Sequence, residues 1–247
     1  MLRFLESLQF VLFIFFTAAY AYQIVYLVVG LLGKGRQGKQ DAKLHRYAAI
    51  IAARNEEGVI GDLIQTLKRQ DYPEELLDIF VIADNCTDST ADVSRKAGAI
   101  VYERFNKVQV GKGYALDYLF HHIFEDYGEK TYDGFFVFDA DNLVDPQFVR
   151  EMNKMFDTGE YTALTSYRNS KNFCDNWISA GYALWFLREA RFLNRPRTQL
   201  GVNCAVSGTG FLVAADVIRQ EGGWPYHLLT EDIEFSIACA ARGRKIG

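Results

Sequence analysis

From Leu8 to Leu32 the chain runs through 25 residues without one charged side chain. As a helix rising about 1.5 Å per residue this stretch is about 37 Å long, enough to cross the hydrocarbon layer of a bilayer. A cleaved signal peptide has a shorter apolar run and a small-residue cleavage site, and Val29-Gly30-Leu31-Leu32-Gly33-Lys34 is a poor one. Residues 1–33 are therefore expected to form a transmembrane helix. Lys34, Arg36, Lys39, Lys43 and Arg46 follow the span, against Arg3 alone before it. This asymmetry predicts an integral protein of the cell membrane with everything downstream in the cytoplasm. Tyr20, Tyr22 and Tyr26 can line a packing face against other helices, which leaves room for partner membrane subunits. Residues 34–46 read as a basic juxtamembrane linker at the lipid surface, and 47–247 as one cytoplasmic domain.

That domain has ordinary globular composition. The whole chain has 27 cations, 31 anions and a net charge of −4, with the cations dispersed. No basic footprint for nucleic acid results, and nucleic acid is set aside as a partner. Cys86, Cys174, Cys204 and Cys239 are irregularly spaced, without a C-x-x-C pair or a histidine pattern for zinc, and read as reduced cytosolic thiols.

Apolar runs alternate with helical spacing. Tyr47 to Ala53 reads as a buried strand ending on Arg54-Asn55-Glu56-Glu57, and a helix follows between Gly58 and Gln70. Ile79 to Ala83 is a second strand, ending on Asp84; Thr87 or Asp88 can cap the next helix, which leaves Asp84 as a turn residue or a ligand contact. Ala99 to Glu103 makes a third strand. Gly111-Lys112-Gly113 then opens a helix, where a lysine between glycines either reaches a phosphate or forms a solvated loop.

The informative stretch is Gly134 to Asn142. Four apolar residues, Phe135 to Phe138, run into Asp139-Ala140-Asp141, a buried strand delivering acids at its carboxyl end, where open α/β sheets bind ligands. If strand geometry persists, the two aspartates share a face and suit a hard cation completed by substrate phosphates. The competing reading, that they only cap the next helix, is weakened because Asp145-Pro146 supplies that start. Thr162 to Tyr167 is expected as a strand and Asn176 to Leu193 as an aromatic-rich helix, its Trp177, Tyr182, Trp185, Phe186 and Phe192 serving as core or membrane-facing surface. Cys204 to Val213 places a small-residue turn between apolar runs, where a close backbone approach to ligand and a simple hairpin both remain open. Thr230-Glu231-Asp232 starts a helix and by itself is an ordinary N-terminus.

In order along one domain, Asp84, Gly111-Lys112-Gly113, Asp139-Ala140-Asp141, Ser207-Gly208-Thr209-Gly210-Phe211 and Thr230-Glu231-Asp232 closely resemble the family 2 glycosyltransferases. The likeness is to the membrane-bound processive branch that includes cellulose, hyaluronan and poly-N-acetylglucosamine synthases. It covers Tyr47 to Gly247. The resemblance implies the GT-A fold, an α/β Rossmann-like, mixed but mostly parallel sheet flanked by helices. It further implies that Arg54, Asn55, Glu56 and Asp84 hold uridine, that Lys112 lies near the nucleotide, and that Asp139 and Asp141 form the DxD motif. Asp141, ahead of Asp139, would be the direct ligand of Mg²⁺ or Mn²⁺ on the diphosphate. Ser207, Gly208 and Gly210 belong to a G-x-G element near the acceptor, Glu231 belongs to the TED motif, and Asp232 is its general base.

The likeness departs from the family at one place: processive members carry a Q-x-x-R-W motif beyond the TED helix, whereas this chain stops at Arg244-Lys245-Ile246-Gly247. A fragment or a shortened enzyme is the expectation, with further transmembrane helices left open. The implied activity is inverting transfer of a sugar, glucose or N-acetylglucosamine, from a UDP-sugar to a growing cell-surface polysaccharide. Its alternatives are single-sugar transfer to a lipid or polyprenyl-phosphate acceptor, a catalytically silent nucleotide-binding partner of a synthase, and a purely structural membrane-anchored domain.

Overall fold

Alternating β-branched or aromatic runs and amphipathic helices can bury both faces of a parallel sheet only if the helices cross over it. The computed structural model, which describes residues 2–247, has this arrangement in one of its two compact units, residues 37–166 with 203–247. Its strands are β1 (Tyr47–Ala53), β2 (Leu77–Asp84), β3 (Ile100–Arg104), β4 (Gly134–Asp139), β5 (Ala163–Leu164) and β6 (Phe211–Ala214). They lie in the order β3-β2-β1-β4-β6-β5. β1 pairs in parallel with β2 and β4, and β2 with β3, while β6 runs antiparallel to both β4 and β5.

The core lies on both faces of β1, β2 and β4. One side gathers Ile50, Phe80, Leu119, Phe120, Phe135 and Trp224, and the other Ile51, Ile64, Leu67, Phe136, Phe138 and Val149, all at most 1% exposed except Phe138 at 2%. These strands are buried on both faces, as the unbroken apolar runs require. Helices Ile60–Lys68, Thr90–Ala97, Lys112–Tyr127, Phe148–Phe156, Ala215–Glu221 and Glu231–Ala241 flank the sheet.

Three elements differ from the sequence reading. The strand expected over 162–167 is only Ala163–Leu164. The 204–213 stretch is no simple hairpin: β6 begins at Phe211 and pairs with β4 and β5, while the Cys204 N–H bonds to the Ile246 carbonyl at 3.1 Å. Residues 37–46 are held against the sheet domain, with the Lys39 N–H on the Lys154 carbonyl (3.1 Å), His45 Nε2 on Asp157 (2.9 Å) and Arg46 on Asp78 (2.9 Å).

The second unit comprises residues 1–36 and 167–202. Its helix over 3–32 is long and apolar enough to cross a membrane and has none of its most apolar stretch buried. With it groups the segment 167–202, read from the sequence as part of the 47–247 domain. Asn176 caps the helix Trp177–Glu189 by accepting the N–H groups of Ile178 and Ser179, both at 3.0 Å. A π-helical turn, Ala190–Asn194, leads into Arg195–Gln199. Gly30 allows the close packing: a Cβ there would sit 2.7 Å from the Arg191 carbonyl oxygen and 2.9 Å from the Phe192 ring.

Candidate active site

Parallel strands end together, so β1, β2, β3 and β4 deliver the residues after Ala53, Asp84, Arg104 and Asp139 to one edge. The register sets Ala52 opposite Asp139 and Asp84 opposite Arg104. That edge is the ligand crevice of open α/β sheets.

The loop after β1 is pinned to the loop after β2. Asn55 takes a left-handed backbone (φ 57°), which asparagine tolerates, and its side-chain oxygen accepts the Thr87 N–H at 2.8 Å. Glu56 donates its N–H to the Thr90 hydroxyl (2.8 Å), and the Glu57 carboxylate accepts the Ser89 N–H (2.8 Å). Arg54 is exposed on the same loop. Asp88, expected as a cap, accepts the hydroxyl and N–H of Thr90, and the hydroxyl first of all holds its carboxyl below the ordinary range.

Asp84 caps nothing. Its Oδ1 meets the Arg104 guanidinium at 2.7 Å, the two side chains 7% and 5% exposed, and Arg104 also donates to the Gln109 carbonyl at 2.7 Å. Sequence reasoning missed Arg104. Only the β2–β3 register brings it beside Asp84.

The acidic turn departs from the expected geometry. β4 stops at Asp139, and the Asn142 N–H closes a turn onto the Asp139 carbonyl (3.2 Å), so pleat alternation does not set the two aspartates on one face. Ala140 is buried inside the turn, Asp139 is partly exposed and Asp141 is exposed. Gly111-Lys112-Gly113 opens a helix as expected, and its start is packed rather than a solvated loop. A Cβ on Gly113 would lie 2.0 Å from the Tyr226 carbonyl oxygen, so only glycine lets the two segments approach.

Lys112 gathers the site. Its Nζ lies 2.6 Å from Asp139 Oδ1, 2.6 Å from the Gly208 carbonyl oxygen and 3.4 Å from Glu231 Oε1. Burial pushes the Glu231 carboxyl up from its ordinary value, an effect the Lys112 charge opposes. Neighbouring Asp232 accepts the Gly208 N–H on Oδ2 (2.7 Å) and its own helix's Ile233 N–H on Oδ1 (2.8 Å). The Thr230 side chain makes no capping bond, and its backbone carbonyl accepts the N–H groups of Ile233 and Glu234 (3.1 Å each).

The loop joining these groups turns on Gly208 and Gly210, at φ 60° and 65°. Thr209, 6% exposed, accepts the Asp139 N–H at 2.8 Å and donates to the Asn142 side chain. Ser207 accepts the Thr209 N–H on its carbonyl (2.6 Å). Lys112, Asp139, Gly208, Glu231 and Asp232 thus form one connected set. Thr209 and Asn142 were not singled out from the sequence, where a threonine between glycines carries no mark of this bond.

No group of three or more histidine, cysteine or acidic side chains that could hold a metal occurs among the described residues. The donor set fits only a cation held by one or two carboxylates and completed by oxygens of a bound ligand, the mode that suits Mg²⁺.

The fold is of the GT-A type. The mannosyltransferase PcManGT from Pyrobaculum calidifontis, solved in complex with GDP-Man and Mn²⁺, superposes with a TM-score of 0.68 at 17% identity, covering 93% of this chain and 63% of that one. Staphylococcus aureus TarS 1–349 in complex with UDP-GlcNAc gives 0.56 at 14% identity, covering 78% of this chain and 52% of that one. The family described as "Glycosyltransferase like family 2" matches residues 45–247, and the chain belongs to it. Among its relatives, the β-monoglucosyldiacylglycerol synthase of Synechocystis sp. is 27% identical over 203 residues, 80% of this chain and 41% of that protein. The poly-β-1,6-N-acetyl-D-glucosamine synthase of Staphylococcus epidermidis is 23% identical over 198 residues, 76% of this chain and 44% of that protein. The chain thus spans less than half the length of either relative.

Proposed function

We propose that the chain carries the donor site and the base of an inverting, UDP-sugar-dependent glycosyltransferase, working with Mg²⁺ or Mn²⁺ on the cytoplasmic face of a membrane. The observation that carries this reading is Lys112 bridging Asp139 to Gly208 and Glu231, beside Asp232. It puts positive charge where a diphosphate would lie and a carboxylate on the adjoining loop. Asp139 and Asp141 would hold the metal, which when bound neutralises charge gathering on the departing diphosphate. Arg54, Asn55, Glu56 and Asp84 address the uridine. Asp232 takes the proton of the acceptor hydroxyl while that oxygen bonds to the anomeric carbon and the bond to the diphosphate breaks, which inverts the configuration in one displacement. Glu231 is engaged with Lys112, whereas Asp232 lies against the 207–210 loop, which makes Asp232 the base of the pair.

The acceptor we infer is an elongating polysaccharide, as the name of the S. epidermidis relative would have it. A lipid acceptor is the second reading, favoured by the name of the Synechocystis relative and by the exposed apolar helix Trp177–Glu189. The test incubates membranes holding the full chain with a panel of UDP-sugars, Mg²⁺ or Mn²⁺, and either diacylglycerol or a short β-glucan or β-glucosaminide. UDP release with a chain-length ladder supports the first acceptor, and one lipid-soluble product the second. Calorimetry with UDP and metal checks the donor half: Asp141→Ala binding UDP as tightly as wild type would refute the metal role.

A further inference from the structure

The hydroxyl of Thr209 has two bonds, and together they fix a direction. A backbone N–H can only donate, so Thr209 Oγ1 accepts from Asp139, and the hydroxyl's one hydrogen goes to Asn142 Oδ1. Asn142 therefore turns its amide oxygen to Thr209 and its nitrogen to Asp141, donating to Oδ1 at 3.1 Å. The reverse orientation of the amide would set its oxygen against the Asp141 carboxylate. One directed chain results: Asp139 N–H to Thr209, Thr209 O–H to Asn142, and Asn142 N–H to Asp141. It passes from one acid of the turn to the other through a residue of a different loop.

That crossing matters because β4 stops at Asp139, and beyond it no strand ladder orients the turn. Thr209 is itself held on both sides. The Gly210 N–H bonds to the Val137 carbonyl at 2.8 Å, and the Gly210 carbonyl accepts the Ser166 hydroxyl at 2.6 Å. On the other side the Gly208 carbonyl accepts from Lys112 and the Gly208 N–H donates to Asp232. A loop with its backbone fixed at Gly208 and Gly210 thus extends one buried side chain over the acidic turn, and the same loop carries the bond to the base.

We propose that Thr209, acting through Asn142, is a positioning residue for the acidic turn, so that divalent-cation and donor affinity depend on the 207–210 loop. This rests on the reading of Asp139 and Asp141 as the carboxylates of a cation site, and adds to it the residues that keep those carboxylates in place. Neither Thr209 nor Asn142 touches a reacting atom. Their part is to order the turn on folding, so that less ordering is left for binding to supply. Groups that orient metal-binding side chains typically change metal affinity about 10- to 100-fold when removed.

Calorimetry of UDP on the detergent-solubilised full chain, in Mn²⁺ and in EDTA, tests this. Thr209→Val keeps the shape of the side chain and removes the hydroxyl. It should weaken Mn²⁺-supported UDP binding about 10- to 100-fold and leave binding in EDTA unchanged, while Thr209→Ser restores the Mn²⁺ value to within a few-fold. Asn142→Ala should lose as much as Thr209→Val, and the double variant no more than either, because the two act in one chain. Asn142 is half-buried, so its variant carries the test alone if Thr209→Val does not fold. Undiminished Mn²⁺-supported binding in Asn142→Ala would overturn the proposal. An equal loss with and without Mn²⁺ would overturn it too, since the defect would then lie in the fold or the uridine loop. Additive losses in the double variant would break the chain from Thr209 to Asn142. A wild type that binds UDP equally in Mn²⁺ and EDTA would remove the metal reading and the proposal with it, a result seen without any variant.

Discussion

Trp224 and Trp177 are the same residue in opposite settings. Trp224 is fully buried, with ring centroids of Phe235 at 5.0 Å and Tyr226 at 5.2 Å, whereas Trp177 stands 83% exposed at the start of a helix uncharged as far as Leu187. Charge divides the molecule in the same way: with +6 in the unit of residues 1–36 and 167–202, the sheet domain is left with 18 cations and 28 anions, a net charge of −10. A domain proposed to bind a polyanionic donor is itself acidic, so affinity must come from placed groups such as Lys112 and from a metal rather than from a general field.

The comparison can be broken at several points. The largest expected effect is on chemistry: Asp232→Asn should lower turnover about 10²- to 10⁴-fold, with donor affinity held within a few-fold, since the amide oxygen can keep the Gly208 bond and only the Ile233 bond is lost. Rates and UDP binding on one preparation decide it, and near-normal transfer would reduce Asp232 to a helix-start acid. Next comes the buried pair. Arg104→Ala should cost about 3–5 kcal/mol by leaving Asp84 buried without its partner, read from urea unfolding. Trp224→Ala should cost about 3–5 kcal/mol through its cavity, against less than about 0.5 kcal/mol for Trp177→Ala in a protein-only medium. Equal losses for the two would erase the distinction between the regions.

The smallest effect concerns the strap formed by residues 37–46. Hydrogen bonds from His45 first, then from Lys39, hold the Asp157 carboxyl down at about 2. A depressed carboxyl contributes stability that is full above its unfolded value of 3.8 and is lost as the pH falls toward about 2. Asp157→Asn should flatten the pH dependence of unfolding in that window and leave it unchanged at neutral pH.

Much of the sheet domain is legible in the residues. β1, β2 and β4 are apolar on both faces because they are buried on both faces, and β2 and β4 end on acids at the edge where open α/β sheets bind ligands. The parts that escaped the sequence depend on partners far along the chain. Arg104 matters through a register, Gly113 through the Tyr226 carbonyl, and Thr209 through the N–H of Asp139, 70 residues away. Periodicity also hid the grouping of residues 167–202, because an apolar helix of period 3.6 reads alike whether it packs on a sheet or against another apolar helix.

The reversal of β6 has a consequence in time. Because it runs antiparallel to β4, the start of β6 lies at the edge where β4 ends, and the 207–210 loop reaches Asp139 only when this pair forms. On the ribosome, Ser207 is made 68 residues after Asp139, a delay of about 3–14 s at ordinary elongation rates. Through that interval the β4 edge has no neighbour on its β6 side, and an unpaired apolar strand edge is a template for the wrong chain. The nascent protein therefore carries its aggregation hazard at the strand that bears its acids, until β6 arrives behind the 207–210 loop to close the sheet.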